Sequence, residues 1–165
     1  MIYIVDPLSE VFRLSLFTVF FGIFLDTTIG VNSTLEIIKK DPKLYFKGIM
    51  ANYLNLLLLS PVYYVFAYNL LLNYQANVFN LFNYSGLTLI HAIGYYYVHK
   101  LMHTNPHFKW MHNFHHEFVI TVPSSGNAVS LYEFQIAYVL PFLVGALLLN
   151  PSPVDFKYSI FKITI

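Results

Sequence analysis

The chain has 165 residues, of which only 10% are charged while 57% are apolar and 19% aromatic. An average globular protein carries about 25% charged residues, and the deficit excludes both a disordered chain and an ordinary soluble enzyme. A net charge of +1 supplies no field for nucleic acid. The absence of cysteine excludes disulfides, thiolate metal sites and a cysteine nucleophile.

In chain order, the first apolar stretch covers residues 11–31 and reads as a span, an interfacial helix or a signal segment. A removable signal fits worst, because Asp6 and Glu10 stand where basic residues belong and no cleavage pattern follows. Residues 48–99 contain no Asp, Glu, Lys or Arg, about twice the ~20 residues that one crossing needs. That length predicts a helical hairpin. Its arms are 50–72, kinked at Ser60-Pro61, and 78–98, with Asn73, Tyr74, Gln75, Ala76 and Asn77 as the turn. A last span is predicted over 134–149, ending at Asn150-Pro151-Ser152-Pro153 with a short tail beyond. The expected architecture is therefore an all-α, multi-pass bundle of about four spans in a single membrane domain covering 1–165. Lys39, Lys40, Lys43 and Lys47 crowd one connection and Lys100 and Lys109 the other, which puts both on the cytoplasmic side. The sequon Asn32-Ser33-Thr34 argues the other way, but four lysines outweigh it.

All seven histidines lie within residues 91–116. His99 and His103 are spaced i, i+4, and His112, His115 and His116 are spaced i, i+3, i+4, so each set occupies one helical face. Pro106 disfavours helix at Asn105 and predicts a bend that folds the two faces together. Five imidazoles without a thiolate suit iron, zinc, copper or nickel and exceed the four ligands of a structural zinc. Two metals are the natural occupancy. The bland alternative is a run of amphipathic rings where a helix leaves the bilayer. His91 and His107 fall outside the two sets and read as packing residues or stray ligands. The run Tyr95-Tyr96-Tyr97 reads as packing and interface anchoring. Glu117 either steadies a ligand imidazole or sits solvated at the surface, and Glu133 stands at a span entrance where exposure costs little.

The segments His99-Lys100-Leu101-Met102-His103 and His112-Asn113-Phe114-His115-His116-Glu117-Phe118 resemble the first two histidine boxes of the sterol desaturase and fatty acid hydroxylase superfamily. The ending H-x-x-H-H-E-[FY] is most similar to the 4-methylsterol oxidases. The resemblance covers residues 87–149, including Pro123 and Glu133. It implies a membrane oxidoreductase with iron in a di-metal site held by His99, His103, His112, His115 and His116. It also implies dioxygen, a cytochrome-type electron-donor protein, a sterol or fatty acyl substrate entering from the bilayer and, in a eukaryote, the endoplasmic reticulum membrane. It names no further catalytic residue. The chain departs from the pattern in several places: Ala92 stands where an acidic residue is usual, Lys100 replaces Arg, and Ser130-Leu131 replaces His-Pro. No histidine follows His116, so the third box has no counterpart. The expectation is a truncated relative with an incomplete site, completed by a homo- or hetero-oligomeric partner, or a non-catalytic membrane subunit of a complete enzyme. Simple zinc or haem binding is the remaining alternative.

Overall fold

The computed structural model describes residues 5–73, 75–76 and 78–164. It is all-α in these residues, and three stretches are long and apolar enough to cross a membrane: Leu8–Thr27, Pro42–Leu70 and Leu131–Leu149. Their outward faces fit that solvent. Phe17, Phe20 and Phe24 on the first and Leu147 and Leu148 on the last are exposed, a pattern that water penalises and lipid does not.

Helix α1 (Val5–Thr27) stops four residues short of the expected end at 31. The reason is Asp26, fully buried, whose carboxylate accepts from Ser124 N at 2.9 Å and from the Tyr45 hydroxyl at 3.0 Å. Gly30 follows in close contact with Pro123, where a Cβ would come within 2.6 Å of the ring. Helix α2 (Val31–Lys40) then begins, and the Thr34 hydroxyl of the sequon is buried and donates to Asp26 O at 3.0 Å. After Asp41 caps α3 (Pro42–Asn52), the chain continues through a π-helical stretch, Tyr53–Leu59, into α4 (Ser60–Leu70). The expected kink at Ser60-Pro61 is thus absorbed by wider helical turns. Proline has no N–H and its ring crowds the preceding carbonyls, and a π turn immediately upstream relieves both. The same device recurs before Pro141, where π-helical Phe134–Val139 leads into α8 (Leu140–Leu149).

Of the expected turn, Tyr74 and Asn77 lie outside the described residues, while Asn73, Gln75 and Ala76 are non-helical. The other arm of the hairpin is a helix, α5, but it runs Leu81–Thr104 rather than 78–98. It is not among the three stretches apolar enough to cross by composition, because Asn83, Tyr84, His91 and three consecutive tyrosines dilute it. It packs with one side against α8, while Leu89, Ile93, Tyr96 and Tyr97 on its other side are exposed. The two helices approach closely through small residues: a Cβ on Gly94 would lie 2.6 Å from Pro141, and one on Gly145 3.3 Å from Leu87. Leu87, Phe142, Ala146 and Phe156 form the core beside this contact. Asn150 ends α8 in the left-handed conformation (φ 45°, ψ 55°). The short tail predicted beyond it is a helix, α9 (Pro153–Thr164), anchored by the fully buried Asp155.

Candidate metal centre

The His-rich segment begins as the last turns of α5, which carry His99 and His103 one above the other. The helix breaks where Pro106 demands. Asn105 adopts an extended conformation (φ −103°, ψ 118°), and its side chain accepts from His107 N at 2.9 Å, capping α6 (Pro106–His116). Helix α6 folds back and brings His112 against His99 and His103 of α5, with ring centroids 4.4 and 4.7 Å apart.

His99, His103 and His112 form one group whose ligand atoms all lie within 4.8 Å of one another. His103 Nε2 sits 3.2 Å from His99 Nε2 and 3.2 Å from His112 Nε2. Two nitrogens each about 2.1 Å from one ion are roughly 3.0–3.4 Å apart for bond angles between octahedral and tetrahedral, so the spacing suits a shared ion. This three-histidine group can hold a metal ion. His116 adjoins it, with ring centroids 4.9 Å from His103 and 4.5 Å from His112, and His115 lies 5.5 Å from His112. Nδ1 of His99 and of His115 are buried without a hydrogen-bond partner. His107 is exposed and apart from the group. His91, buried two turns earlier on α5, is separated from His99 by the Tyr95 ring, which stacks on His99 at 5.3 Å.

Behind His112 stands a carboxylate. Glu133 is fully buried, and its Oε1 lies 2.6 Å from His112 Nδ1. The short helix α7 (Leu131–Glu133) delivers it. Ser130 caps that helix by accepting from Glu133 N at 3.1 Å, and its hydroxyl donates to Met111 O, tying α7 to α6. A carboxylate that takes the Nδ1–H of an imidazole fixes the tautomer and leaves Nε2 as the donor atom toward a metal. The expectation of an exposed Glu133 is therefore corrected. Glu117, the other acidic candidate, turns outward and pairs with Lys47 at 3.2 Å, both side chains about half exposed. That pair, with Lys47 Nζ 4.5 Å above the Phe114 ring, brings the lysine-rich connection and the histidine segment to the same end of the bundle.

The electrostatics favour neutral rings. Burial, then the neighbouring His99, His116, His103 and His115, push His112 down to about 3. Burial and then the surrounding imidazoles also lower His99 and His116, with Lys109 adding to the effect on His116. Neutral imidazole is the ligand form. Sequence reasoning missed Glu133 and Ser130 as parts of the centre. The only signal they left was an acidic residue closely following a serine cap at the start of an apolar run.

Comparison of the chain with protein-family models, with curated proteins and with solved structures finds no match.

Proposed function

We propose that the chain is the membrane-embedded, metal-holding part of an iron-dependent lipid oxidoreductase of the sterol desaturase and fatty acid hydroxylase type. The observation that carries this reading is the convergence of three Nε2 atoms, from His99, His103 and His112, in front of a buried carboxylate that orients the central ring. His115 and His116 complete the donor set in this reading. Nitrogen-rich, thiolate-free sites suit iron as well as zinc, and bound iron would supply the activation of dioxygen for attack on an unactivated C–H bond. The residues of the chain do the rest. Glu133 holds the Nδ1 proton of His112, Ser130 holds Glu133 in register with α6, and the α5–α8 contact fixes the distance between the two. Tyr95 and Tyr138 meet edge to face at 5.1 Å beneath the imidazoles and shield them on the bundle side.

A second reading, a metal-holding subunit without turnover of its own, is favoured by the ligand count, since five imidazoles provide few donors for two metals. One experiment tests both. Membranes containing the chain are supplied with reduced nicotinamide, a cytochrome-type donor and labelled sterol or fatty acyl lipid. Oxygenated product that requires both dioxygen and His112 supports the first reading. Metal in the purified chain with no such product supports the second. A folded chain that takes up no metal overturns both.

A further inference from the structure

The ten-residue helix α2 joins the end of one candidate span, Leu8–Thr27, to the start of the next, Pro42–Leu70. At about 1.5 Å of rise per residue a helix of this length covers only some 15 Å, so two spans that cross the bilayer hold it at the boundary. Its residues sort into three strips. Thr34 and Ile37 are buried, Ile37 packing with Tyr45, Phe118 and Val122. Asn32, Glu36 and Lys40, spaced i, i+4, i+8, are polar and exposed. The third strip, Val31, Leu35 and Lys39, is exposed as well, although its first two residues are apolar. Water penalises such a strip and the acyl layer does not. Helix α3 repeats the pattern with Lys43, Phe46 and Met50, spaced i, i+3, i+7 and all exposed, the lysine lying toward the end of the bundle. Each strip thus sets an ammonium group one turn from an apolar side chain, and a lysine stem can lie along acyl chains while its head stays among polar groups.

Neither Lys39 nor Lys43 enters an ion pair among the described residues. Of the acidic side chains beside them in the chain, Asp41 accepts from Leu44 N at 3.0 Å, and Glu36 stands on the polar strip one turn from Lys40. A zwitterionic headgroup brings a cation with its phosphate, whereas an anionic one brings unbalanced negative charge that two unpaired ammonium groups meet. We infer that α2 and the first turn of α3 seat on anionic phospholipid of the adjoining leaflet, with Val31 and Leu35 in the acyl region and the ammonium groups of Lys39 and Lys43 against the headgroup phosphates. The contact uses none of the histidines and requires no metal.

The test weighs the intact chain by mass spectrometry after purification in detergent and exposure to equal amounts of phosphatidylglycerol and phosphatidylcholine with matched acyl chains. Retained phosphatidylglycerol is expected to exceed phosphatidylcholine about tenfold. Lys39→Gln with Lys43→Gln is expected to remove most of that preference, while Lys157→Gln, whose partner Glu10 stands near the start of α1, leaves it unchanged. Equal retention of the two lipids by the unaltered chain, or an unchanged ratio in the double variant, overturns the proposal. Depth is read separately with Leu35→Trp in a Trp110→Phe background, which leaves one indole, on the apolar strip, because Trp110 is the only tryptophan. In phosphatidylglycerol vesicles its emission is expected to be blue-shifted and quenched by brominated acyl chains. An unquenched indole in water places the strip against solvent or a soluble partner and overturns the seating. Should the tryptophan variant fail to fold, the lipid ratio on the unaltered chain and the lysine variants still decides.

Discussion

The two ends of α5 each meet a fully buried carboxylate, and the two are used differently. At the N-terminal end, Asp155 is saturated by donors. Asn80 N lies 2.6 Å from Oδ1, and Ser152 N at 3.3 Å, the Ser152 hydroxyl at 2.9 Å and Asn83 Nδ2 at 3.5 Å surround Oδ2. That carboxylate staples the start of α5 to the start of α9. At the C-terminal end, Glu133 spends one oxygen on the His112 ring and leaves Oε2 buried with no partner. Buried polar atoms are nearly always satisfied, and an exception asks for an explanation other than stability. Here the carboxylate costs stability and orients an imidazole whose other nitrogen faces two more. The contrast separates a residue that builds the fold from one that arranges a centre.

Substitutions at the two ends should therefore separate two observables, folding and metal retention. The largest effect is expected from His112→Ala, which removes the buried ring packed against His99, His103, His115 and His116. Metal affinity should fall by more than about 100-fold, beyond the range typical of losing an outer partner, as read by titration of the purified chain with Fe(II) or Zn(II). Asp155→Ala comes next and acts on the other observable. It strips two backbone N–H groups and a hydroxyl of their acceptor, so unfolding in denaturant should show a loss of about 2–4 kcal/mol with metal affinity unchanged. Glu133→Gln keeps an acceptor oxygen beside His112 but replaces the carboxyl group with an amide. Affinity should drop about 10–100-fold with little change in folding. If Asp155→Ala weakened metal binding as much as Glu133→Gln does, the two ends would not differ in kind.

The fourth prediction concerns pH. His99, His112 and His116 are lowered in the folded state, so they stay neutral as pH falls through the ordinary imidazole range near 6.5. Metal should be retained there and released only at lower pH. Metal content per chain measured from pH 7.5 to 4.5 checks this retention. The smallest effect belongs to Glu117→Gln. Its partner Lys47 is half exposed, and such surface pairs contribute about 0–1 kcal/mol, so neither folding nor metal affinity should move appreciably.

Much of the centre was legible in the sequence because it is local. The i, i+4 spacing of His99 and His103, the i, i+3, i+4 spacing of His112, His115 and His116, and Pro106 between them fix one face, another face and a bend within eighteen residues. What was not legible depends on residues far apart in the chain. Glu133 reaches His112 only because Ser130 ties α7 to α6 and because Gly94 and Gly145 let α5 and α8 approach closely. The end of α1 at Thr27 is set by Asp26, whose partner Ser124 lies 98 positions away. Helix α9 depends on Asp155 finding Asn80 across the bundle. Each is a buried carboxylate, and sequence pattern alone gives no sign of whether a carboxylate at a helix end will be covered.

The most direct test is X-ray absorption at the metal edge, with metal content per folded chain, on the unaltered protein purified from iron-supplemented cells. The account expects at least one ion per chain, coordinated by nitrogen at about 2.1 Å with the multiple-scattering pattern of several imidazoles. A folded chain that carries no more metal than a histidine-free control, or an edge spectrum dominated by oxygen without imidazole scattering, would contradict it.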